Sequence, residues 1–219
     1  MTTRTTLRRD LADLKQKIYL LGEKCIEISG LHTSLLETHN TNLENSLIQI
    51  SSEVKKESKE LNDQCFMVLT LQQPLIKDLR FVIGSLQIVL NLEKISEQYI
   101  STLPQIVEVN VLKSDLKEQL LKMSEKVQEL MRNSLTLYLS TNTDSIQYID
   151  KTLSEIGFLH DVLYKQILNE LAVDSGQKAK VEAQLLATVR SLEKISDSVQ
   201  NIIEQVNYII HGKAETQNT

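Results

Sequence analysis

The 219-residue sequence has few of the residues that interrupt helices, with 6 glycines and 2 prolines. A β-rich domain of this length needs many more turn residues, so this scarcity argues against a sheet protein. Tryptophan is absent and aromatic residues make up 4%, whereas hydrophobic residues make up 41%. That apolar content is sufficient for a packed core and excludes a disordered chain. The composition therefore predicts long helices joined by few, short connections.

The sequence also lacks the features of several functional classes. It has no basic block and a formal net charge of −5, which argues against nucleic-acid binding. No apolar run is long enough to form a membrane-spanning helix or a signal peptide. Cys25 and Cys65 lie within apolar helical patterns and are expected to be buried, reduced thiols. Together these features predict a cytoplasmic protein.

Catalytic motifs are missing as well. The sequence contains no P-loop, no glycine-rich dinucleotide fingerprint and no Cys-x-x-Cys. None of the 4 histidines has a glutamate three residues before it, as a ferritin-like di-iron site requires. The histidines are therefore expected to be structural or exposed, and no spacing pairs a nucleophile with a base. We expect a protein that is not an enzyme.

Hydrophobic residues at helical spacing predict six amphipathic helices. Thr41 followed by Glu44 is typical of a capping box at the start of the second helix, and Pro74 suits the first position of the third. Ser114 is the expected N-cap of the fourth helix, and Gly212 is expected to end the last one. The predicted helices cover about residues 6–36, 42–73, 74–101, 115–140, 144–173 and 178–210.

Residues 102–112 contain Pro104 and no helical period, so they are predicted to divide the chain into two halves. The pentapeptide LEKIS at residues 92–96 recurs at 192–196, in the third helix of each half. Three helices, a break and three more helices, with this repeated segment, indicate internal duplication. The predicted fold is all-α, with two tandem antiparallel three-helix bundles of the spectrin-repeat type. The predicted divisions are a first repeat at 1–103, a second at 113–212 and a polar tail at 213–219.

Paired carboxylates are the main candidates for chemistry. Glu93 and Glu97 are four residues apart and share one helix face, and Glu193 and Asp197 repeat the arrangement. Two carboxylates at this spacing repel each other unless a positive group lies between them. That group is either a Lys or Arg side chain or a bound cation with oxygen ligands. A solvated acidic face is the alternative interpretation.

Three further charged residues are candidates for polar contacts. Each lies in the third predicted helix of its half of the chain. Asp78 and Arg80 follow Pro74, and Asp78 suits the positive end of the helix dipole. Arg80 is expected either to bridge to carboxylates of a neighbouring helix or to form a surface charge pair. Arg190 lies in a comparable region of the second half, three residues before Glu193.

Several segments resemble the PhoU family. LQQPLIKDLR at residues 71–80 resembles the family signature in which LQQP precedes DLR. NLEKISE at 91–97 is similar to the family's DLERIGD stretch, and RSLEKISD at 190–197 resembles its second-repeat version. The ending YIIHGK at 208–213 also fits the family's last helix. Length, helix number and duplication agree over nearly the whole chain.

This resemblance implies a negative regulator of phosphate uptake and of the phosphate-starvation response. Family members are understood to act as adaptors between the ATPase subunit of a phosphate ABC transporter and a phosphate-sensing histidine kinase. We therefore expect those two partners, no nucleic acid, and contact with the membrane only through such a complex. A homodimer is also expected.

The resemblance implies metal sites too, because Glu-x-x-x-Asp motifs of some family members bind iron or zinc clusters, and magnesium or manganese is proposed in others. By position, the candidate ligands here are Glu93, Glu97, Glu193, Asp197 and Asp161. Glu97 replaces the usual aspartate, which lengthens that ligand by one methylene.

The helix that faces these ligands departs further from the family pattern. Family members place acidic residues on the second helix of each repeat, where this chain has Ser51, Ser58 and Gly157. Fewer facing carboxylates means weaker cation binding. In a shifted register, Glu57 or Glu155 would substitute.

Two alternative functions remain open from the sequence. The paired carboxylates are consistent with a metal-binding or storage protein, and the same fold is consistent with an accessory subunit of another phosphate transporter.

Overall fold

The computed structural model describes residues 2–109, 115–140 and 146–212. These residues form seven helices and no strand. The helices are α1 (Thr2–Glu37), α2 (Thr41–Gln72), α3 (Lys77–Ser101), α4 (Leu103–Val109), α5 (Asp115–Ser140), α6 (Ile146–Leu171) and α7 (Gln177–His211). The six predicted long helices are confirmed, with boundaries within a few residues of those expected.

Three local predictions were wrong. The N-cap of α2 is Asn40, whose side chain accepts a hydrogen bond from the Asn42 backbone, because its extended backbone places the amide over the first turn. Pro74 precedes α3 by three residues instead of opening it. The segment after residue 102 is also helical at α4, since Pro104 lies in its first turn, where no backbone donor is needed.

Each repeat is a three-helix bundle whose stripe positions form the core. The α1 stripe includes Leu14, Ile18, Leu21, Cys25 and Ile28, all fully buried. Burying a leucine or isoleucine side chain contributes about 1.5–3 kcal/mol, so these stripes supply most of the stabilisation. Both cysteines are buried and free, as expected.

Two glycines allow the repeats to approach each other closely. Helix α1 packs against α5, and α3 packs against α7. A Cβ atom at Gly22 would lie 2.5 Å from Leu135 Cδ2 of α5, and one at Gly84 would lie 2.6 Å from Ile209 Cγ1 of α7. Larger side chains at these two positions would therefore push the repeats apart.

The pairing of helices across the repeats is antiparallel. Lys15 near the start of α1 donates to the carbonyl of Leu139 near the end of α5, and Lys117 near the start of α5 donates to the carbonyl of Glu37 at the end of α1. The α2–α3 link and the start of α6 consequently lie at one end of the molecule. None of the helices described is long and apolar enough to cross a membrane. The predicted N-cap Ser114 and the polar tail lie outside the described residues.

Candidate functional site

The first pair of carboxylates lies on α3 beside a depression of about 430 Å³. Glu93 is half-buried and Glu97 is exposed. Lys55 of α2 places its Nζ atom 3.2 Å from Glu97 Oε1, so a lysine neutralises one of the two carboxylates. Ser96 donates a hydrogen bond of 2.8 Å to Ser51, and both serines are buried. A hydroxyl pair therefore occupies the α2–α3 contact where the family resemblance implies a facing acid.

The second pair lies on α7 and has a different neighbour. Glu193 Oε2 is 3.2 Å from His160 Nε2 of α6, and His160 Nδ1 is 3.3 Å from Asp161 Oδ1. Asp161 and Asp197 are both exposed. Tyr164 stacks on the His160 ring with centroids 5.6 Å apart. The described structure thus brings Glu193 and Asp161 to one histidine.

His160 was not recognised as a site residue from the sequence. The sequence does place His160 beside Asp161, on the helix that faces the repeated pentapeptide. Helical spacing alone does not identify Glu193 as its partner across the helix–helix contact. Arg190 extends the same polar strip, because its Nη2 donates to the Tyr164 hydroxyl at 3.0 Å and its guanidinium lies 5.3 Å from that ring centre. Arg190 therefore contacts α6 through Tyr164.

The two glutamates considered as substitutes face lysines of the first helix in their repeats. Lys24 of α1 lies 2.7 Å from Glu57 and 2.8 Å from Glu53, and the hydrogen bonds to both hold the pKa of Lys24 above its usual value. In the second repeat Lys126 of α5 lies 2.8 Å from Glu155 and lowers the pKa of that carboxyl. These carboxylates are already neutralised by lysine.

The side chains around the paired carboxylates differ from those that a metal cluster requires. Across the residues that the structure describes, no group of three or more His, Cys, Asp or Glu side chains is arranged to hold a metal ion. At the first repeat a lysine and two serines surround the carboxylates, and Gly157 in the second repeat is exposed and supplies no ligand. The side chains present do not fit a multinuclear cluster. Metal binding by the paired carboxylates stays a prediction.

Arg80 has a partner that the sequence did not indicate. It lies against Gly212, where a Cβ atom would be 1.6 Å from Arg80 Nη1. Gly212 has a φ of +74° and donates its backbone N–H to the Tyr208 carbonyl at 2.9 Å, so it ends α7 as predicted. The negative end of the α7 dipole stabilises a cation at this position. Arg80 therefore connects the start of α3 to the end of α7, while Asp78 occupies the first turn of α3 as expected.

A buried polar network lies where α1, α3 and α4 meet. His32 is fully buried, and its Nε2 is 2.9 Å from Thr102 Oγ1. The Thr102 hydroxyl donates to the Tyr99 carbonyl, so its oxygen accepts from His32, which assigns the proton to Nε2. Burial lowers the pKa of His32 to about 3. Tyr99 in turn donates to Ser29 at 2.8 Å. The closed surroundings make this histidine structural.

The surface between the two repeats is concave along the α1–α5 contact. Two adjoining depressions of about 730 and 660 Å³ share Glu23, Ile26 and Arg132 as lining residues. Glu23, Glu27 and Arg132 are exposed, whereas Ile26 is buried beneath them. The cleft is open to solvent and its lining mixes apolar and charged side chains.

The fold places the chain in the class of all-helical proteins built from two tandem three-helix bundles, here with clefts on the surface. The model of the PhoU domain matches residues 18–100 and 120–206. These two matches cover well over half of the chain, one in each repeat. The chain belongs to the PhoU family.

Full-length relatives share this match. A phosphate-specific transport system accessory protein PhoU homologue of Clostridium acetobutylicum is 27% identical over 216 residues, covering 96% of this chain and 97% of the relative. The corresponding homologue of Synechocystis is 24% identical and covers 97% and 94%. The crystal structure of PhoU from Pseudomonas aeruginosa superposes with a TM-score of 0.86 at 17% identity, covering 94% of this chain and 99% of that one. PhoU from Streptococcus pneumoniae gives 0.84 at 20% identity, covering 95% and 98%. The two structures support the predicted fold.

Proposed function

We propose that this protein is a cytoplasmic negative regulator of phosphate uptake and of the phosphate-starvation response. It would act as an adaptor between the ATPase subunit of a phosphate ABC transporter and a phosphate-sensing histidine kinase. The observation that carries the proposal is the family match in both repeats, together with relatives of matching length that are named phosphate-specific transport system accessory proteins. Association with a phosphate transport system is the part that those names support most directly.

The geometry supports a mechanism of binding without catalysis. The described surface offers an open cleft, and the fully buried His32 is closed off from solvent. A helical platform of this kind would act by holding one partner or another. The proposed homodimer would form a symmetric version of this platform.

The cleft between α1 and α5 is the surface we assign to the ATPase subunit. Its α1 wall carries Glu23 and Glu27 beside Leu20, whose side chain is 51% exposed. A partner helix with an apolar face and basic flanks would complement this wall. Both repeats contribute to the cleft, so a bound helix would contact the two bundles together.

Deletion of the gene in the native host tests the regulatory role. Expression of phosphate-starvation genes should rise in phosphate-replete medium, and the intact gene supplied on a plasmid should restore repression. Normal repression and normal phosphate uptake in the deletion strain, with no second family member in the genome, would refute the proposal.

Affinity capture at high and low phosphate tests the partners and the surface. Wild-type protein should retain the transporter ATPase or the kinase, and Glu27→Lys should reduce ATPase capture by reversing a charge in the cleft. Asp63→Lys on the exposed face of α2 is the matched control, since it changes the net charge in the same direction and by the same amount but lies outside the cleft lining. Equal capture by all three proteins would exclude the cleft as the ATPase surface.

The paired carboxylates keep metal binding as a second candidate function, because Glu93 with Glu97 and Glu193 with Asp197 lie at equivalent places in the two repeats. Elemental analysis of protein purified without chelator tests it, with the Glu193→Ala, Asp197→Ala double variant as comparison. A stoichiometric metal lost in the variant supports this function, and its absence from wild-type protein removes it. A role with a different phosphate transporter would instead appear as capture of that transporter's subunits.

A further inference from the structure

Large apolar side chains project into solvent at the link between α2 and α3. Leu71 is 76% exposed, Leu75 is 71% exposed and Ile76 is 76% exposed. Scattered exposed leucines are ordinary on a protein surface, but three aliphatic side chains this exposed within six residues form a patch. We call these three residues, together with the charged side chains of residues 4–10 and 71–80, the tip.

The backbone of the tip is held in an unfavourable conformation. Gln73 has a φ of +45° and Ile76 has a φ of +33° with a ψ of −84°, although neither residue is glycine. A β-branched side chain in this region costs about 1–2 kcal/mol. Pro74 between them is buried, so the link is anchored on one side while Leu75 and Ile76 point outward. The unfavourable backbone and the exposed apolar side chains together point to a use of this link in contacts outside the folded chain.

Cationic side chains surround the apolar ones. The start of α1 meets the α2–α3 link, since Gln72 donates to Asp10 and a depression of about 280 Å³ is lined by Arg4, Arg8, Gln73 and Leu75 among others. Residues 4–10 and 71–80 together contain five cationic and two acidic side chains, a net charge of +3 in a chain whose net charge is −5. The cations are Arg4, Arg8, Arg9, Lys77 and Arg80, of which Arg9 pairs with Asp10 at 3.7 Å and Arg80 lies against Gly212.

The tip is separate from the other candidate surfaces. Glu93 lies 16 residues after Lys77 along α3, which corresponds to about 24 Å of helix. None of the tip residues lines the α1–α5 cleft. The tip lies at the end of the first bundle, where the chain turns from α2 into α3. It therefore presents projecting side chains and not a groove for a partner helix.

We propose that the tip binds directly to an anionic lipid bilayer surface. Leu71, Leu75 and Ile76 would enter the interface between headgroups and acyl chains, while the exposed side chains of Arg4, Arg8 and Lys77 contact the phosphates. Projecting apolar side chains with a cationic surround match the chemistry of such an interface. This inference is independent of the proposed adaptor role, since it requires lipid alone, and it departs from the expectation that the chain contacts the membrane only through its protein partners.

Vesicle binding by the purified full-length protein tests the proposal. Vesicles of phosphatidylcholine with phosphatidylglycerol should bind the protein, and vesicles of phosphatidylcholine alone should bind it much more weakly. Leu75→Ser with Ile76→Ser should lower the partition coefficient by about tenfold or more. Arg4→Gln with Arg8→Gln should lower it by about fivefold per charge at low salt and less at high salt. All four positions are exposed, and circular dichroism checks that the variants fold.

The matched control lies at the opposite end of the molecule. Val173 is 84% exposed in the α6–α7 link, so Val173→Ser removes a comparable apolar group without touching the tip. Because the natural chain has no tryptophan, Leu75→Trp and Val173→Trp each give a single fluorescent reporter. Only the tryptophan at position 75 should shift its emission to the blue on adding anionic vesicles.

Three results would overturn the proposal. One is binding to anionic vesicles no stronger than to neutral ones, and another is an equal loss of binding in the Val173→Ser control. The third is unchanged vesicle binding in the tip variants, accompanied by a change in molar mass or by loss of a captured protein partner, which would assign the tip to a second copy or to that partner.

Discussion

The buried histidine of the first repeat predicts a specific sensitivity to acid. His32 has no exposed surface, its Nε2 donates to Thr102, and burial lowers its pKa to about 3. In the unfolded chain a histidine has a pKa of about 6.5. The unfolded state therefore binds a proton between these two values while the folded state does not. The free energy of unfolding therefore has its full value above about pH 6.5 and decreases as the pH falls from there toward about 3.

The magnitude follows from the two pKa values. Each pH unit below the unfolded value costs about 1.4 kcal/mol, so at about pH 5 the folded state should have lost about 2 kcal/mol relative to neutral pH. This is a large share of the stability of an ordinary domain. Carboxylates titrate in the same range, so the contribution of His32 must be isolated by comparison.

Urea unfolding followed by circular dichroism at about pH 7 and about pH 5 supplies that comparison. His32→Gln keeps an N–H donor for Thr102 but cannot be protonated, so its loss of unfolding free energy between the two pH values should be smaller by about 2 kcal/mol. His39→Gln is the control, because His39 lies just past α1 and its side chain is 36% exposed. An identical pH dependence in wild type and His32→Gln would refute the assignment of a neutral buried histidine.

Five further substitutions test the packing between and within the repeats by urea unfolding. Gly22→Val and Gly84→Val should each lower the unfolding free energy by about 1–3 kcal/mol, because they overpack the contacts with α5 and α7. Gly157→Ala should instead raise the unfolding free energy by about 0.5–1 kcal/mol, because Gly157 is exposed in α6 with open space around it. Gly212→Ala should cost about 1–2 kcal/mol, because φ is positive there and Arg80 fills the space; no loss would show that α7 can end elsewhere. Lys24→Met should cost no more than about 1 kcal/mol, since its ion pairs are partly exposed, and a larger loss would show them to be desolvated.

Helical spacing predicted the long helices because each one buries a regular stripe. The same signal missed α4, which has seven residues and packs against α7. Two turns are too short for a period to emerge, and an isolated helix of that length is not stable. Its existence depends on tertiary contacts, which local sequence does not report.

The α2–α3 link shows a second limit of prediction. Pro74 favoured an immediate helix start, yet α3 begins only at Lys77 after two residues with positive φ. Sequence rules place glycine or asparagine in such conformations, so Gln73 and Ile76 gave no warning. A conformation that costs energy locally is held by the surrounding structure, and only the folded chain reveals it.

The candidate site was predicted at the level of helix faces but not of partners. Spacing placed Glu193 and Asp197 on one face of a helix, but the contact of Glu193 with His160 spans 33 residues and a helix–helix interface. The pairing of His32 with Thr102 spans 70 residues. A periodic pattern states which side of a helix a residue occupies, and the residue opposite depends on the packing of two helices.

The repeated pentapeptide has an explanation in packing that bears on the metal prediction. Its leucine, isoleucine and serine are buried in both copies, at 92, 95 and 96 and again at 192, 195 and 196. Three of the five shared residues are therefore required by the core of each bundle, whatever the glutamates do. Glu93 and Glu193 have different surroundings, since α2 presents serines and a lysine to the first pair, while α6 presents a histidine to Glu193. Because the core residues agree and the polar neighbours differ, recurrence of the motif supports duplication of the bundle more strongly than it supports two equivalent metal sites.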